Sequence, residues 1–133
     1  MEIRSSHLRY LLAIYELSHQ KADVGIAAIA KTLGCSKASV TTMMATLMEM
    51  GLLVKERYGK IYLTDTGFLK ARELYRCAET IKEGLPQLIP DLTENEKECL
   101  SKEISMLLPS HCMENITKNE ENSVKNKKST CKR

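Results

Sequence analysis

Between Gly25 and Met44 the sequence leaves the chain little choice of local structure. Ile26, Ile29, Ala30 and Leu33 recur at i, i+3, i+4 and i+7, one face of a short helix. Gly34 stops that helix, as a residue at a left-handed C-terminal cap does. Ser36 offers an N-cap hydroxyl to a second helix, whose apolar side is Val40, Met43 or Met44, and Leu47. Ala30 is small where the two helices must approach closely. A helix, a short glycine-containing turn and a second helix with a polar leading edge compose a helix-turn-helix, the unit that lays its second helix in the DNA major groove. The same pattern also suits a helical hairpin inside any α domain. The residues that follow favour the first reading.

Gly51-Leu52-Leu53-Val54 ends the second helix and starts an apolar run. Lys55 to Leu63 then reads as two short strands around a tight turn at Tyr58-Gly59, where glycine tolerates a positive φ. Thr64-Asp65-Thr66-Gly67 has the makeup of a helix start, with Thr64 as cap and Asp65 near the positive end of the dipole. Helix-turn-helix, hairpin and helix, in that order, predict a winged helix. The hairpin carries Lys55, Arg57 and Lys60 against the single acid Glu56. Such a hairpin is either a solvated edge strand, where lysines also discourage aggregation, or a wing that contacts phosphate. Its place directly after a recognition-type helix favours the wing.

The expected fold class is mainly α with a small β-hairpin wing: a winged helix-turn-helix domain followed by a helical dimerisation region. Its 133 residues suit one domain with an appended helical part. There is no Trp and a single Phe, Phe68, so Leu, Ile, Met and Ala must fill the core. Leu8, Leu11, Leu12 and Tyr15 mark a first helix from about Ser6 to Leu17, with a polar connection from His19 to Asp23. A long helix from Thr64 keeps helical spacing through Phe68, Ala71, Leu74 or Tyr75, Ala78, Ile81 and Leu85, and Pro86 and Pro90 interrupt or follow it. A capping-rich stretch around Thr93 starts another helix toward Leu108, and Pro109 opens a short one to about Ile116. The expected domains are 1–72, the DNA-binding part; 73–116, the helical dimerisation part; and 117–133, a disordered basic tail. The apolar faces of the two later helices exceed what a winged helix of some seventy residues covers. Pairing in a two-fold dimer, matching two-fold DNA sites, is one solution, and folding back as a monomer is the other.

Charge is uneven. Residues 31–82 hold nine Lys/Arg against five Asp/Glu, while residues 83–113 hold two against six. The basic part is the part expected to meet DNA. The five cysteines, Cys35, Cys77, Cys99, Cys112 and Cys131, are odd in number and form no C-x-x-C pair, so neither a disulfide framework nor a zinc knuckle is indicated. No apolar run approaches the roughly 20 residues of a membrane helix and no signal-peptide pattern opens the chain, so the expected location is the cytoplasm. No Ser-His-Asp, paired-carboxylate or phosphate-loop pattern points to an enzyme.

Several of these segments together resemble a known family. Leu8 to Leu17, Ile29-Ala30-Lys31-Thr32-Leu33, Ser39-Val40-Thr41 with Met44, Gly51-Leu52-Leu53 and Leu63-Thr64-Asp65-Thr66-Gly67 are similar to the metal-dependent repressors of the diphtheria toxin repressor and manganese transport regulator type. The resemblance covers residues 5–82 well and 83–113 loosely, and suggests the short, two-domain form. It implies a homodimeric winged-helix repressor that uses a divalent metal, usually iron or manganese, to grip double-stranded DNA. The recognition helix maps onto Ser36, Lys37, Ala38, Ser39, Thr41 and Thr42, and Arg57 and Lys60 are the phosphate contacts expected from the wing. The family often has a longer amide or basic side chain where Thr42 stands.

The metal site departs further from the family. Arg9 and Leu12 stand where the resemblance implies first-helix ligands, and Cys77 stands where it implies a histidine. The later ligand run is matched by Cys99-Leu100-Ser101-Lys102-Glu103. Cys77, Cys99 and Glu103 are thus the candidate ligands for Mn, Fe or Zn. An ion pair of Arg9 with Glu103, or with Glu98, is the candidate substitute for the metal bridge. His7, His111 and Cys112 are further scattered donors. Two other readings stay open: a thiol- or ligand-responsive repressor with Cys35 or Cys77 as sensor, and a winged helix that binds only proteins.

Overall fold

Leu11 and Ile14, one helical turn apart, are almost wholly withdrawn from solvent, and they anchor the first helix of the chain. The computed structural model describes residues 2–20, 23–116 and 118. The element order is α1 (Ser5–Gln20), α2 (Ile26–Leu33), α3 (Lys37–Glu49), β1 (Leu53–Lys55), β2 (Ile61–Leu63), α4 (Asp65–Leu88) and α5 (Glu94–Leu107), followed by helical residues 110–116. The chain divides into two compact units, Met1–Arg72 and Glu73–Arg133. The fold is the winged helix that the order of elements predicts.

In the first unit the core is aliphatic. Leu11, Ile14, Ile29, Val40, Met44 and Leu47 from α1, α2 and α3 are buried, joined by Leu52, Leu53 and Ile61 of the hairpin. Each such side chain contributes about 1.5–3 kcal/mol relative to exposure. α1 runs further at both ends than its apolar spacing suggested. Its last turn takes in Ser18 and His19, whose side chains turn back to the Tyr15 carbonyl at 2.7 and 2.8 Å. Tyr15 also lies against Phe68, with ring centroids 5.7 Å apart. α2 ends at Gly34, whose φ of 67° is the left-handed cap, and Cys35 N–H then donates to Ala30 O at 3.1 Å.

β1 and β2 pair antiparallel, with Leu53 opposite Leu63 and Lys55 opposite Ile61. The reversal between them closes with Glu56 N–H to Lys60 O and Gly59 N–H to Glu56 O, Gly59 taking a φ of 85°. The hairpin is not alone: Ile61 N–H donates to Val24 O at 2.9 Å, so the segment before α2 lies along β2.

The return from hairpin to α4 is the tightest junction in this unit. Thr64 N–H donates to Leu52 O at 3.1 Å. Thr64 Oγ1 donates to Gly51 O at 2.6 Å and accepts from Gly67 N–H at 3.1 Å, which caps α4 as its sequence foretold. A β-carbon at Gly67 would lie 1.8 Å from Leu52 O, so glycine is there for close approach rather than for helix propensity.

In the second unit, Leu74, Cys77, Ala78 and Leu85 give α4 a buried stripe. Pro86 lies inside the last turn of α4 and the helix continues to Leu88. A proline so near the end removes one backbone bond with little helix left to lose. α5 begins with a complete capping box: Thr93 Oγ1 accepts from Glu96 N–H, and Glu96 Oε1 accepts from Thr93 N–H at 3.0 Å. That bond holds the Glu96 carboxyl below its ordinary pKa. Ser101 and Ser105 are buried, and each hydroxyl donates to a carbonyl three residues earlier, Glu98 O and Lys102 O. The tail expected to be disordered lies, apart from Lys118, outside the described residues.

Replacing Gly67 by alanine forces Leu52 and the start of α4 apart. The expected outcome is a loss of at least about 2 kcal/mol in urea unfolding, the range of an overpacked core site.

Candidate nucleic-acid interface

α3 divides cleanly into two sides. Val40, Met44 and Leu47 are buried, while Lys37, Ala38, Ser39, Thr41, Thr42 and Ala45 are exposed. The helix is held at its leading end by Ser36. The Ser36 hydroxyl accepts from Ser39 N–H at 3.1 Å and donates to Ser39 Oγ at 2.9 Å. The residues singled out on the turn and helix, Ser36 to Thr42, thus share one solvent-facing strip, interrupted only by Val40.

The strip offers few free donors. Thr41 Oγ1 donates to Lys37 O at 2.9 Å and Thr42 Oγ1 to Ala38 O at 3.1 Å. Lys37 is exposed and is the only cation on α3. At the turn, Tyr10 OH lies 3.6 Å from Cys35 Sγ, joining α1 to the turn before α3. That contact, with burial adding to it, holds the Tyr10 hydroxyl above its ordinary pKa. No periodicity in the sequence signals this pairing, since the partners lie on separate elements.

On the hairpin, Lys55, Arg57 and Tyr58 are exposed at and beside the turn. Lys60 differs from the expectation of an open phosphate contact. Its Nζ lies 2.9 Å from Asp23 Oδ1, and both side chains remain substantially exposed. Asp23 holds the Lys60 ammonium above its ordinary pKa. Lys60 is therefore charged throughout the neutral range but shares that charge with a carboxylate. Asp23 is a participant that sequence reading passed over, because it sat in what read as a polar connection.

The candidate metal ligands lie in the second unit. Cys77 is buried in α4, Cys99 is exposed on α5, and Glu103 is half-buried. Lys102 Nζ lies 3.3 Å from Glu98 Oε1. Arg9 and Leu12 belong to α1 of the first unit, and Leu12 is buried. His7 accepts from Arg4 N–H at the start of α1. Among the described residues, no group of three or more His, Cys, Asp and Glu side chains converges. Within the second unit the candidate donors are two thiols and one carboxylate, a softer set than the oxygen shell a hard dication prefers.

Removing the Ser36 hydroxyl leaves the Ser39 amide without its cap. Ser36→Ala is expected to cost about 1 kcal/mol in thermal or urea unfolding, and Ser36→Asp to keep most of the stability.

Comparison with known proteins places this geometry. Residues 5–61 match the family model described as iron dependent repressor, N-terminal DNA binding domain. Among solved structures, the manganese regulator SloR is similar at a TM-score of 0.70 and 24% identity, over 91% of this chain and 55% of that one. The apo form of the manganese-activated repressor ScaR is similar at 0.64 and 27% identity, over 82% of this chain and 51% of that one. A hypothetical protein from Sulfolobus solfataricus is similar at 0.63 and 21% identity, over 88% of each chain. The chain thus spans about half the length of the two named regulators. No curated protein sequence matches it. Among the described residues, no helix is long and apolar enough to cross a membrane.

Proposed function

We propose that residues 5–61, which match the iron dependent repressor N-terminal DNA binding domain model, bind duplex DNA, and that the chain is a transcriptional regulator acting as a homodimer. The observation that carries the reading is the exposed strip from Ser36 to Thr42, set on a capped helix whose opposite side is core. In this reading α3 enters the major groove, and Arg57 and Lys60 hold phosphate from the wing. The dimer rests on the second unit, where Leu88, Ile89, Leu100, Ile104 and Leu107 expose large apolar side chains. Burying them against a second copy would also match a two-fold operator.

The names of SloR and ScaR attach manganese to those proteins. In this chain the second unit's candidate donors are Cys77, Cys99 and Glu103, two thiols and one carboxylate, a softer set than a hard ion prefers. We therefore read DNA binding here as independent of manganese.

Titration of the full chain against a selected duplex tests the reading. Contacts to four to six phosphates give a log–log salt slope of about −4 to −5. Asp23→Ala removes the carboxylate that competes with phosphate for Lys60 and is expected to tighten binding of every sequence alike. Lys60→Ala is expected to weaken all sequences nearly equally, whereas Lys37→Ala shifts sequence preference. A flat salt response with no sequence enriched would leave a protein-binding winged helix as the reading.

Two further measurements bear on the assembly and the metal. Full-length protein is expected to sediment as a dimer at micromolar concentration, and Leu107→Glu with Leu88→Glu as a monomer. A strong chelator, or added Mn²⁺, is expected to leave operator affinity within twofold. Loss with chelator and rescue by Zn²⁺ would instead assign Cys77 and Cys99 a thiolate site.

A further inference from the structure

α3 contains no arginine, asparagine or glutamine. Those side chains grip guanine or adenine edges with two hydrogen bonds, and Lys37, at the leading end, is the one residue of α3 left to reach a guanine edge. Its exposed ridge is instead Ala38, Thr41, Thr42 and Ala45. The α3 threonines direct their hydroxyl protons inward: Thr41 to Lys37 O, Thr42 to Ala38 O and Thr46 to Thr42 O, at 2.9, 3.1 and 3.2 Å. A hydroxyl has a single proton to donate. Held in that rotamer, a threonine carries its methyl on the other side of Cβ, away from the helix carbonyl it bonds. Thr41 and Thr42 are exposed together with Ala38 and Ala45, at i, i+3, i+4 and i+7 on one helix face, so methyls are the apolar groups that this face has to offer.

A ridge of methyl groups can distinguish one base in the major groove by contact alone. Thymine presents a C5-methyl there, and alanine and threonine methyls are its apolar partners. We infer that α3 selects its operator by thymine methyl contacts made by Ala38, Thr41, Thr42 and Ala45, with Thr42 as a specificity-determining residue. This rests on the DNA-binding reading above and deepens it. The hydroxyl oxygens keep lone pairs and can still accept a hydrogen bond from an adenine or cytosine amine. The test must therefore separate methyl from hydroxyl.

Full-length protein is used to select duplexes from a random library. In the best duplex each thymine is then replaced in turn by deoxyuridine, which removes only the C5-methyl. At least one position in each half-site is expected to weaken about fourfold, the share of one buried methyl. Thr42→Val keeps the methyl and drops the hydroxyl, and is expected to retain both affinity and deoxyuridine sensitivity. Thr42→Ser keeps the hydroxyl and drops the methyl, and is expected to bind about fourfold weaker and to lose sensitivity at one thymine. Circular dichroism of both variants checks that α3 remains folded. Uniform tolerance of deoxyuridine overturns the inference while leaving the DNA-binding reading in place. So does sensitivity that persists unchanged in both Thr41→Ser and Thr42→Ser, or a loss in Thr42→Val that Thr42→Ser does not show. Failure to enrich any duplex overturns the DNA-binding reading, and the inference with it.

Discussion

The Leu52 carbonyl is the point through which the first unit closes. It accepts from Thr64 N–H and lies against the bare α-carbon of Gly67. Leu52 N–H in turn donates to Leu47 O at the end of α3. One residue thus ties the end of α3 to the base of the hairpin and to the start of α4. The hairpin leaves α3 and returns to α4 within a single turn's distance, and its direction follows from that closure. A side chain at position 67 would have to push the helix away, and the hairpin would lose its fixed root.

Local signals in the sequence reach the elements well because each is written in consecutive residues. The spacing of Ile26, Ile29, Ala30 and Leu33, the Gly34 stop, the Ser36 cap and the Gly59 turn all reappear as helix, cap and positive φ. Thr64 caps as its context suggested. What remained hidden was written between segments. Asp23 and Lys60 are far apart in sequence and meet only because the strand-like stretch before α2 lies along β2. Tyr10 and Cys35 meet for a similar reason. Gly67 read as part of a helix start, and nothing in the neighbouring residues announces the peptide that crowds it. The extent of α1 was underread because Ser18 and His19 are polar, and their bonds back to Tyr15 O make that polarity compatible with helix. For the candidate interface, the residues of the strip were legible but the orientation of their hydroxyls was not. A threonine in a helix can turn its oxygen either way, and the sequence is silent on which.

Those orientations change what kind of surface the first unit offers. A helix that keeps its hydroxyl protons for its own carbonyls presents a low, smooth, largely apolar ridge with one lysine at its leading end. Charge is placed elsewhere, on the hairpin, and part of it is already balanced by Asp23. Shape and methyl contact are thereby separated from electrostatic attraction, on two elements that follow one another in the chain. Such a division lets each be altered without disturbing the other.

The hairpin itself has strands of only three residues. An isolated two-stranded ribbon is marginal in water. Its outer residues Val54, Tyr58 and Tyr62 are exposed, and Leu52, Leu53 and Ile61 secure it to the core. Ile61 is the residue of β2 next to the reversal, so its bond to Val24 O, with the Lys60–Asp23 pair beside it, fastens the tip side of the hairpin to the segment before α2. The hairpin cannot peel away from its tip without breaking those contacts. The Ile61 amide would exchange with solvent only when strand and segment part. The wing is thereby coupled to the lead-in of α2, and loosening either one loosens the other.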